Sequence, residues 1–79
     1  HEGRYREAIP LLQSVRGISA RFGGSHAQRD IIELTLIEAA IRGGEAELAQ
    51  SLGRNRLQTR HDSPLAQLLA RRAGLNLAA

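Results

Sequence analysis

The sequence predicts an all-α fold, an antiparallel stack of about four helices in a single domain over residues 1–79. Apolar residues recur at helical spacing through most of the chain. Glycine pairs and capping residues divide that pattern into separate helical segments. No stretch of useful length alternates apolar and polar residues as a strand would. The predicted helices cover residues 5–22, 26–42, 45–60 and 64–74.

The first predicted helix has an apolar face with i, i+3, i+4, i+7 spacing. Its members are Tyr5, Ala8, Ile9, Leu12, Val15, Ser19 and Phe22. Pro10 does not fit this helix well, because proline lacks a backbone N–H donor and is harmless only in the first turn. We therefore expect the helix either to begin nearer Glu7 or to kink at the proline.

The second predicted helix is the one around which the others pack. Ser25 and Gln28 have the S-x-x-Q spacing of a capping box, which begins a helix. Residues 31–41 are then apolar on nearly every side, a pattern typical of a buried helix. About 11 residues are too few for a bilayer, which needs roughly 20. We therefore expect other helices to cover this segment on more than one flank.

Two further helices follow short connections. Gly43 and Gly44 predict a tight turn into an antiparallel hairpin, and Ser63 with Pro64 predicts a capped helix start. The predicted buried stripe of the third helix is Ala46, Leu48, Ala49, Leu52 and Gly53. On the fourth helix, the predicted apolar side is Leu65, Leu68, Leu69 and Ala73.

The composition excludes several classes of protein. With no cysteine among 79 residues there is no disulfide framework and no cysteine-based metal site. The start of the sequence lacks the order of a signal peptide, so we expect a cytoplasmic location and no membrane partner. Because the sequence does not open on methionine, we expect it to be a piece of a longer protein.

All 11 basic residues are arginines, and the net charge is +3. Five of them lie toward the end, at Arg54, Arg56, Arg60, Arg71 and Arg72. This cluster lacks the aromatic stacking residues that single-stranded nucleic-acid surfaces use. We therefore expect no nucleic-acid partner.

Two helix starts resemble one another. Gly3 and Gly44 are each followed five residues later by an alanine, Ala8 and Ala49. This arrangement resembles the helix junction of a tetratricopeptide repeat, a helical hairpin of about 34 residues. The two alanines lie 41 residues apart, so the repeat is divergent, and the long first helix and its connection account for the extra length.

Longer strings carry a more specific resemblance. Residues 23–30 (GGSHAQRD), residues 34–40 (LTLIEAA) and residues 63–66 (SPLA) closely resemble the C-terminal end of proteins similar to tetratricopeptide repeat protein 38. The resemblance covers nearly the whole chain. It implies the last portion of a helical-repeat array, with one full hairpin and a capping helix, and it implies no catalytic residue.

Some polar residues suggest chemistry, which we weigh against structural roles. His26 and Asp30 share a helix face and, with Arg29, could form a ligand or metal pocket. A zinc site needs at least a third protein ligand, so we favour a role in fixing the helix start. Ser25 with His26 and Asp30, and the run from His61 to Ser63, contain the residue types of a hydrolase triad, but helix capping explains them better.

A second set of residues suggests partner binding. In repeats of the type resembled, the first helix of each hairpin lines a concave surface, where Thr35, Glu38 and Arg42 would lie. The alternative is that Glu38 and Arg42 form an exposed i, i+4 ion pair. We expect a protein- or peptide-interaction module that is not an enzyme and needs no cofactor or metal. Self-association into a homodimer is the alternative.

Overall fold

The structure, a computed structural model, describes residues 2–77 and is all-α. Its helices are α1 (Glu2–Phe22), α2 (His26–Arg42), α3 (Ala46–Thr59) and α4 (Pro64–Arg72). Helices that follow one another in the chain pack side by side, and α4 also contacts α2. The prediction of an all-α stack of four helices is therefore confirmed.

Neighbouring helices run antiparallel. The Arg6 side chain near the start of α1 donates a hydrogen bond to the Gly43 carbonyl at the end of α2, with Nε and O 3.0 Å apart. Arg56 near the end of α3 reaches Asp30 near the start of α2. Gly53 of α3 lies against Ala70 of α4. Each short connection thus closes a helical hairpin.

The start of α1 differs from the prediction. The helix begins at Glu2, three residues before the predicted start at Tyr5, so Pro10 lies inside it and the alternative of a start nearer Glu7 is wrong. The helix continues through the proline with one backbone hydrogen bond fewer. The burial prediction is wrong for part of the predicted apolar face, because Val15 and Phe22 are exposed whereas Ile9 is buried. No helix other than α2 packs on α1 within residues 2–77.

The core lies on the second half of α2. Leu36 and Ile37 are fully buried, with 0% exposed surface, and α1, α3 and α4 all pack on this helix. The expectation that residues 31–41 are covered on more than one flank is confirmed for this half. It is wrong for Ile31, which is 64% exposed.

The buried sides of α3 and α4 are shifted from those predicted. On α3, Ala46 is exposed, and Arg56 joins the buried stripe. On α4, Leu65 and Leu68 are exposed. The buried residues of that helix and its C-cap are Ala66, Leu69, Ala70 and Ala73. Helix α4 thus packs through Leu69 and three alanines, and the contact of Ala70 with Gly53 allows a close approach to α3.

The predicted turns form as expected. The Ser25 hydroxyl accepts a hydrogen bond from the Gln28 backbone N–H at 3.1 Å, and the Gln28 side chain accepts one from the Ser25 N–H at 3.0 Å. Gly23 precedes this capping box with φ of +75°, a conformation that favours glycine. At the next turn a Cβ on Gly43 would lie 2.9 Å from the Ala39 carbonyl oxygen. Gly23 thus permits the turn, and because a Cβ on Gly43 would also lie 3.1 Å from the Arg6 backbone nitrogen, glycine at that position permits a close approach of α1 and α2.

Candidate functional site

An open groove separates the second half of α1 from the first half of α2, and we call it the apolar groove. Its volume is about 460 Å³. Its lining residues are Val15, Ile18, Ser19, Phe22, Gly24, Gln28, Ile31 and Ile32. Phe22 is 78% exposed and Ile18 is 55% exposed. Large apolar side chains thus surround a concave surface that no other described element covers.

The helix start of α2 shapes one wall of this groove. The capping box holds Gln28 in place through two hydrogen bonds with Ser25. Gly24 donates its backbone N–H to the Ser19 carbonyl at 2.9 Å, which ties the connection to the end of α1. The residues that end one helix and begin the next therefore also fix the positions of lining residues on both.

The segment that supplies six of the eight lining residues of the apolar groove carries only positive charge. Residues 8–29 contain Arg16, Arg21 and Arg29 but no aspartate or glutamate. None of these three arginines forms a salt bridge with any residue in 2–77. The Arg21 guanidinium carbon lies 5.9 Å from the centroid of the Phe22 ring. A cation therefore stands at the rim, beside the most exposed of the large apolar side chains.

A second groove lies between the first half of α1 and the second half of α2, with a volume of about 410 Å³. Its lining residues are Tyr5, Ala8, Leu12, Leu34, Thr35, Glu38 and Ala39. In each helix, lining residues of the two grooves follow one another at spacings of three or four, which places them on one helix face. The two grooves thus follow one another along one side of the α1–α2 hairpin.

Glu38 is the centre of a polar network beside the second groove. Two nitrogens of Arg72 donate to its carboxylate oxygens at 2.6 and 2.7 Å, and Arg42 also donates to it. Arg42 in turn donates to the Tyr5 hydroxyl at 3.1 Å. The hydrogen bonds from Arg72 lower the pKa of Glu38 to about 2, against the opposing effect of burial. The network ties α4 and α1 to α2.

The predicted partner-binding residues therefore lie together on α2. Thr35 and Glu38 line the second groove, and Arg42 lies one turn beyond Glu38. The Thr35 hydroxyl donates to the Ile31 carbonyl within the same helix at 2.7 Å. The ion pair of Glu38 with Arg42 exists, but it belongs to a larger network that includes Arg72. A role of the three residues in partner binding stays a prediction.

The predicted pocket of His26, Arg29 and Asp30 does not come together. Asp30 accepts hydrogen bonds from Arg56 at 3.1 Å and from Arg60 at 3.0 Å, whereas His26 and Arg29 are exposed. Loss of hydration acts to raise the pKa of Asp30, but the two guanidinium groups hold it below its usual value. Residues 2–77 contain no group of three or more His, Cys, Asp or Glu that could hold a metal ion.

Arg56 is a residue that the sequence prediction missed. It is 8% exposed and donates to Asp30 and to Glu33, the latter at 3.3 Å. Its Nε atom is buried without a hydrogen-bond partner among the described residues. Helical spacing from Ala49 and Leu52 places Arg56 on the buried stripe, so a signal was present.

The arginine cluster near the end of the chain is largely engaged. Arg56 and Arg60 pair with Asp30, and Arg72 pairs with Glu38. Arg54 and Arg71 form no salt bridge with a described residue. The five arginines therefore do not present one continuous basic surface.

Comparison with known proteins gives no assignment. No family model matches the chain, and no solved structure matches it. Among residues 2–77, no helix combines the length and the hydropathy that a membrane span requires.

Proposed function

We propose that this chain is a protein-interaction module that binds a helical segment of another protein in the apolar groove. The observation that carries the proposal is the exposure of Ile18, Phe22 and Ile31 around one concave surface. Clustered apolar exposure of this kind marks interaction sites on soluble proteins. A groove between two helices accepts the apolar face of a third helix.

The charge at the rim favours a different protein over a second copy as the occupant. A second copy that used the same groove would bring Arg16 and Arg21 near their own counterparts, and like charges across an interface are unfavourable. A partner without this excess of basic charge avoids that repulsion. The test must therefore distinguish the binding of a different protein from self-association through α1.

The wider setting that we propose is the end of a tetratricopeptide-like helical array. The antiparallel packing of α2 on α3 across a three-residue connection supports it, as does the resemblance carried by residues 23–30. In such an array each hairpin contacts its neighbours, and grooves continue from one repeat to the next. Thr35, Glu38 and Arg42 would then extend the binding surface beyond the apolar groove.

Phe22 offers the clearest test. Burying a large apolar side chain is worth about 1.5–3 kcal/mol, and Phe22 has most of its surface still exposed. Removing its ring should therefore weaken binding by roughly tenfold or more. Because the side chain is exposed in the free chain, the fold should tolerate the change.

The probe is a fluorescent peptide of about 18 residues, designed as a helix with leucines along one face and long enough to span about 27 Å. We expect its fluorescence anisotropy to rise with protein concentration, and Phe22→Ser to weaken binding at least tenfold. Leu65→Ser is the matched control, because Leu65 is an exposed apolar residue on α4. Equal effects of the two substitutions, or no binding to the unmodified chain, would refute the proposal.

Light scattering over a range of concentrations tests the alternative, self-association through α1. We expect a monomer at the concentrations used for peptide binding. A dimer that Phe22→Ser dissociates would assign the apolar groove to self-association.

A further inference from the structure

The arginines of this chain divide into two groups by their surroundings. Five of them form salt bridges within residues 2–77, namely Arg6, Arg42, Arg56, Arg60 and Arg72. The other six form none with a described residue, and three of these six, Arg16, Arg21 and Arg29, lie in the segment that builds the apolar groove. Positive charge without an internal counter-charge is therefore present at this groove.

Each of these three arginines is adjacent in the sequence to a residue that lines the apolar groove. Arg16 follows Val15, and Arg29 follows Gln28; both neighbours line the apolar groove. Arg21 precedes Phe22 and holds its guanidinium over that ring. Because an arginine side chain is long, its charged end can reach an occupant from a neighbouring position while its methylene groups rest on apolar surface.

The carboxylate nearest to these residues in the sequence is already engaged. Asp30 follows Arg29 but accepts hydrogen bonds from Arg56 and Arg60 of the α3 segment and its C-cap. The Asp30 carboxylate therefore points toward α3 and away from the apolar groove. The charge at the groove is left for a partner to balance.

We propose that the occupant of the apolar groove is an acidic amphipathic helix, with an apolar face for the groove and glutamate or aspartate on its flanks. This inference rests on the proposed function and specifies the chemistry of the partner. Opposite charge on the two surfaces raises the association rate and selects among partners with similar apolar faces. The apolar contacts hold the helix, and the arginines determine which helix is held.

The shape of the site favours a helix over a lipid surface. Basic and apolar residues on one helix also suit an anionic membrane. In this chain, however, the apolar side chains of α1 and α2 line a concave volume between the two helices. A helix that lies along this groove fills the volume, whereas the surface of a flat bilayer does not. Vesicle binding is therefore included as an outcome of the test.

The experiment compares two labelled peptides that share one leucine face. One carries glutamates on both flanks of that face, and the other carries lysines. We expect the glutamate peptide to bind the intact chain about tenfold more tightly in low salt, because several exposed charge pairs each contribute a small amount. Raising the salt to about 0.5 M should reduce this preference, because screening shortens the range of exposed charges.

Charge-reversal variants of the protein test which arginines cause the preference for the glutamate peptide. The double variant Arg16→Glu with Arg21→Glu should lose the preference for the glutamate peptide. The control is Arg54→Glu with Arg71→Glu, which changes the net charge by the same amount on α3 and α4. This control should keep the preference. Circular dichroism should show unchanged helicity in both variants.

The outcomes separate the two proposals. Equal binding of the two peptides, or an equal response of the two double variants, would overturn the acidic partner and leave the interaction module standing. Binding of neither peptide would overturn the interaction module itself. Tighter binding to vesicles of phosphatidylcholine with phosphatidylserine than to either peptide, lost in Arg16→Glu with Arg21→Glu, would replace the helix with a membrane surface.

Discussion

Replacing Glu38 by glutamine should destabilise the chain, because this carboxylate joins three helices. Arg72 of α4 and Arg42 of α2 both donate to Glu38, and Arg42 also donates to Tyr5 of α1. Glutamine keeps the size and shape of the side chain and removes its charge. The change therefore tests the charge of the network separately from its packing.

The size of the effect follows from the pKa of Glu38. The two hydrogen bonds from Arg72, with the one from Arg42, lower it from 4.5 to about 2. At about 1.4 kcal/mol for each pKa unit, this gap sets an upper limit of roughly 3 kcal/mol. The Glu38 side chain is 31% exposed, and both arginines are more exposed, so water screens the interaction. We expect a loss of about 1–2 kcal/mol in the free energy of unfolding.

Urea unfolding at pH 7, followed by circular dichroism, measures this loss. The matched control is Glu47→Gln on α3, since Glu47 is exposed and forms no salt bridge with a described residue. Its effect should stay below about 0.5 kcal/mol. Equal effects of the two substitutions would refute the role of Glu38 as a network centre.

The same pair of proteins gives a pH test. Folding lowers the pKa of Glu38, so its charge stabilises the folded state fully above the usual pKa of 4.5. That stabilisation is lost as the pH falls from about 4.5 to about 2, where the folded carboxylate takes up a proton. The difference between the unmodified chain and Glu38→Gln should therefore shrink over this range. A difference that is constant with pH would contradict the assigned cause.

Two further substitutions test the core and the buried arginine. Leu36→Ala removes a fully buried side chain and should cost about 2–5 kcal/mol of unfolding free energy, whereas Leu11→Ala, at an exposed position, should cost less than about 0.5 kcal/mol. Arg56→Met leaves Asp30 with Arg60 but removes the charge facing Glu33. We expect a loss of about 1–3 kcal/mol by urea unfolding, below the usual cost of breaking a fully buried pair because both carboxylates remain partly exposed. A gain in stability would contradict this role of Arg56.

Local signals in the sequence predicted the helix boundaries well. The spacing of Ser25 and Gln28 indicated a capping box, and the structure contains both of its hydrogen bonds. The start of α2 and the starts of α3 and α4 lie within one residue of the predictions. These features depend on neighbours three or four residues apart, which a sequence pattern records directly. The start of α1 lies three residues before the predicted one, because Pro10 was expected in the first turn or at a kink, and α4 ends two residues before its predicted end.

Burial was harder to predict, because it depends on which helices meet. Phe22 has the spacing of a core residue, yet it is exposed because within residues 2–77 only α2 packs on α1. Arg56 has a charge typical of a surface residue, yet it is buried because α3 brings it to Asp30, 26 residues earlier in the chain. Periodicity gave the wrong burial for Phe22, whereas for Arg56 the helical spacing indicated burial and only the charge argued against it. The candidate site could not be predicted for the same reason, because several of the apolar residues that define the groove were predicted to be buried and are exposed.

The most direct test of the apolar groove is a nuclear magnetic resonance titration with the glutamate-flanked leucine peptide. Backbone amide signals of ¹⁵N-labelled protein report which residues change their surroundings as the peptide is added. We predict the largest shifts at Val15, Ile18, Phe22 and Ile31, with little change at Leu65 on α4. Shifts centred on α4, or an unchanged spectrum at saturating peptide, would contradict binding in the groove between α1 and α2.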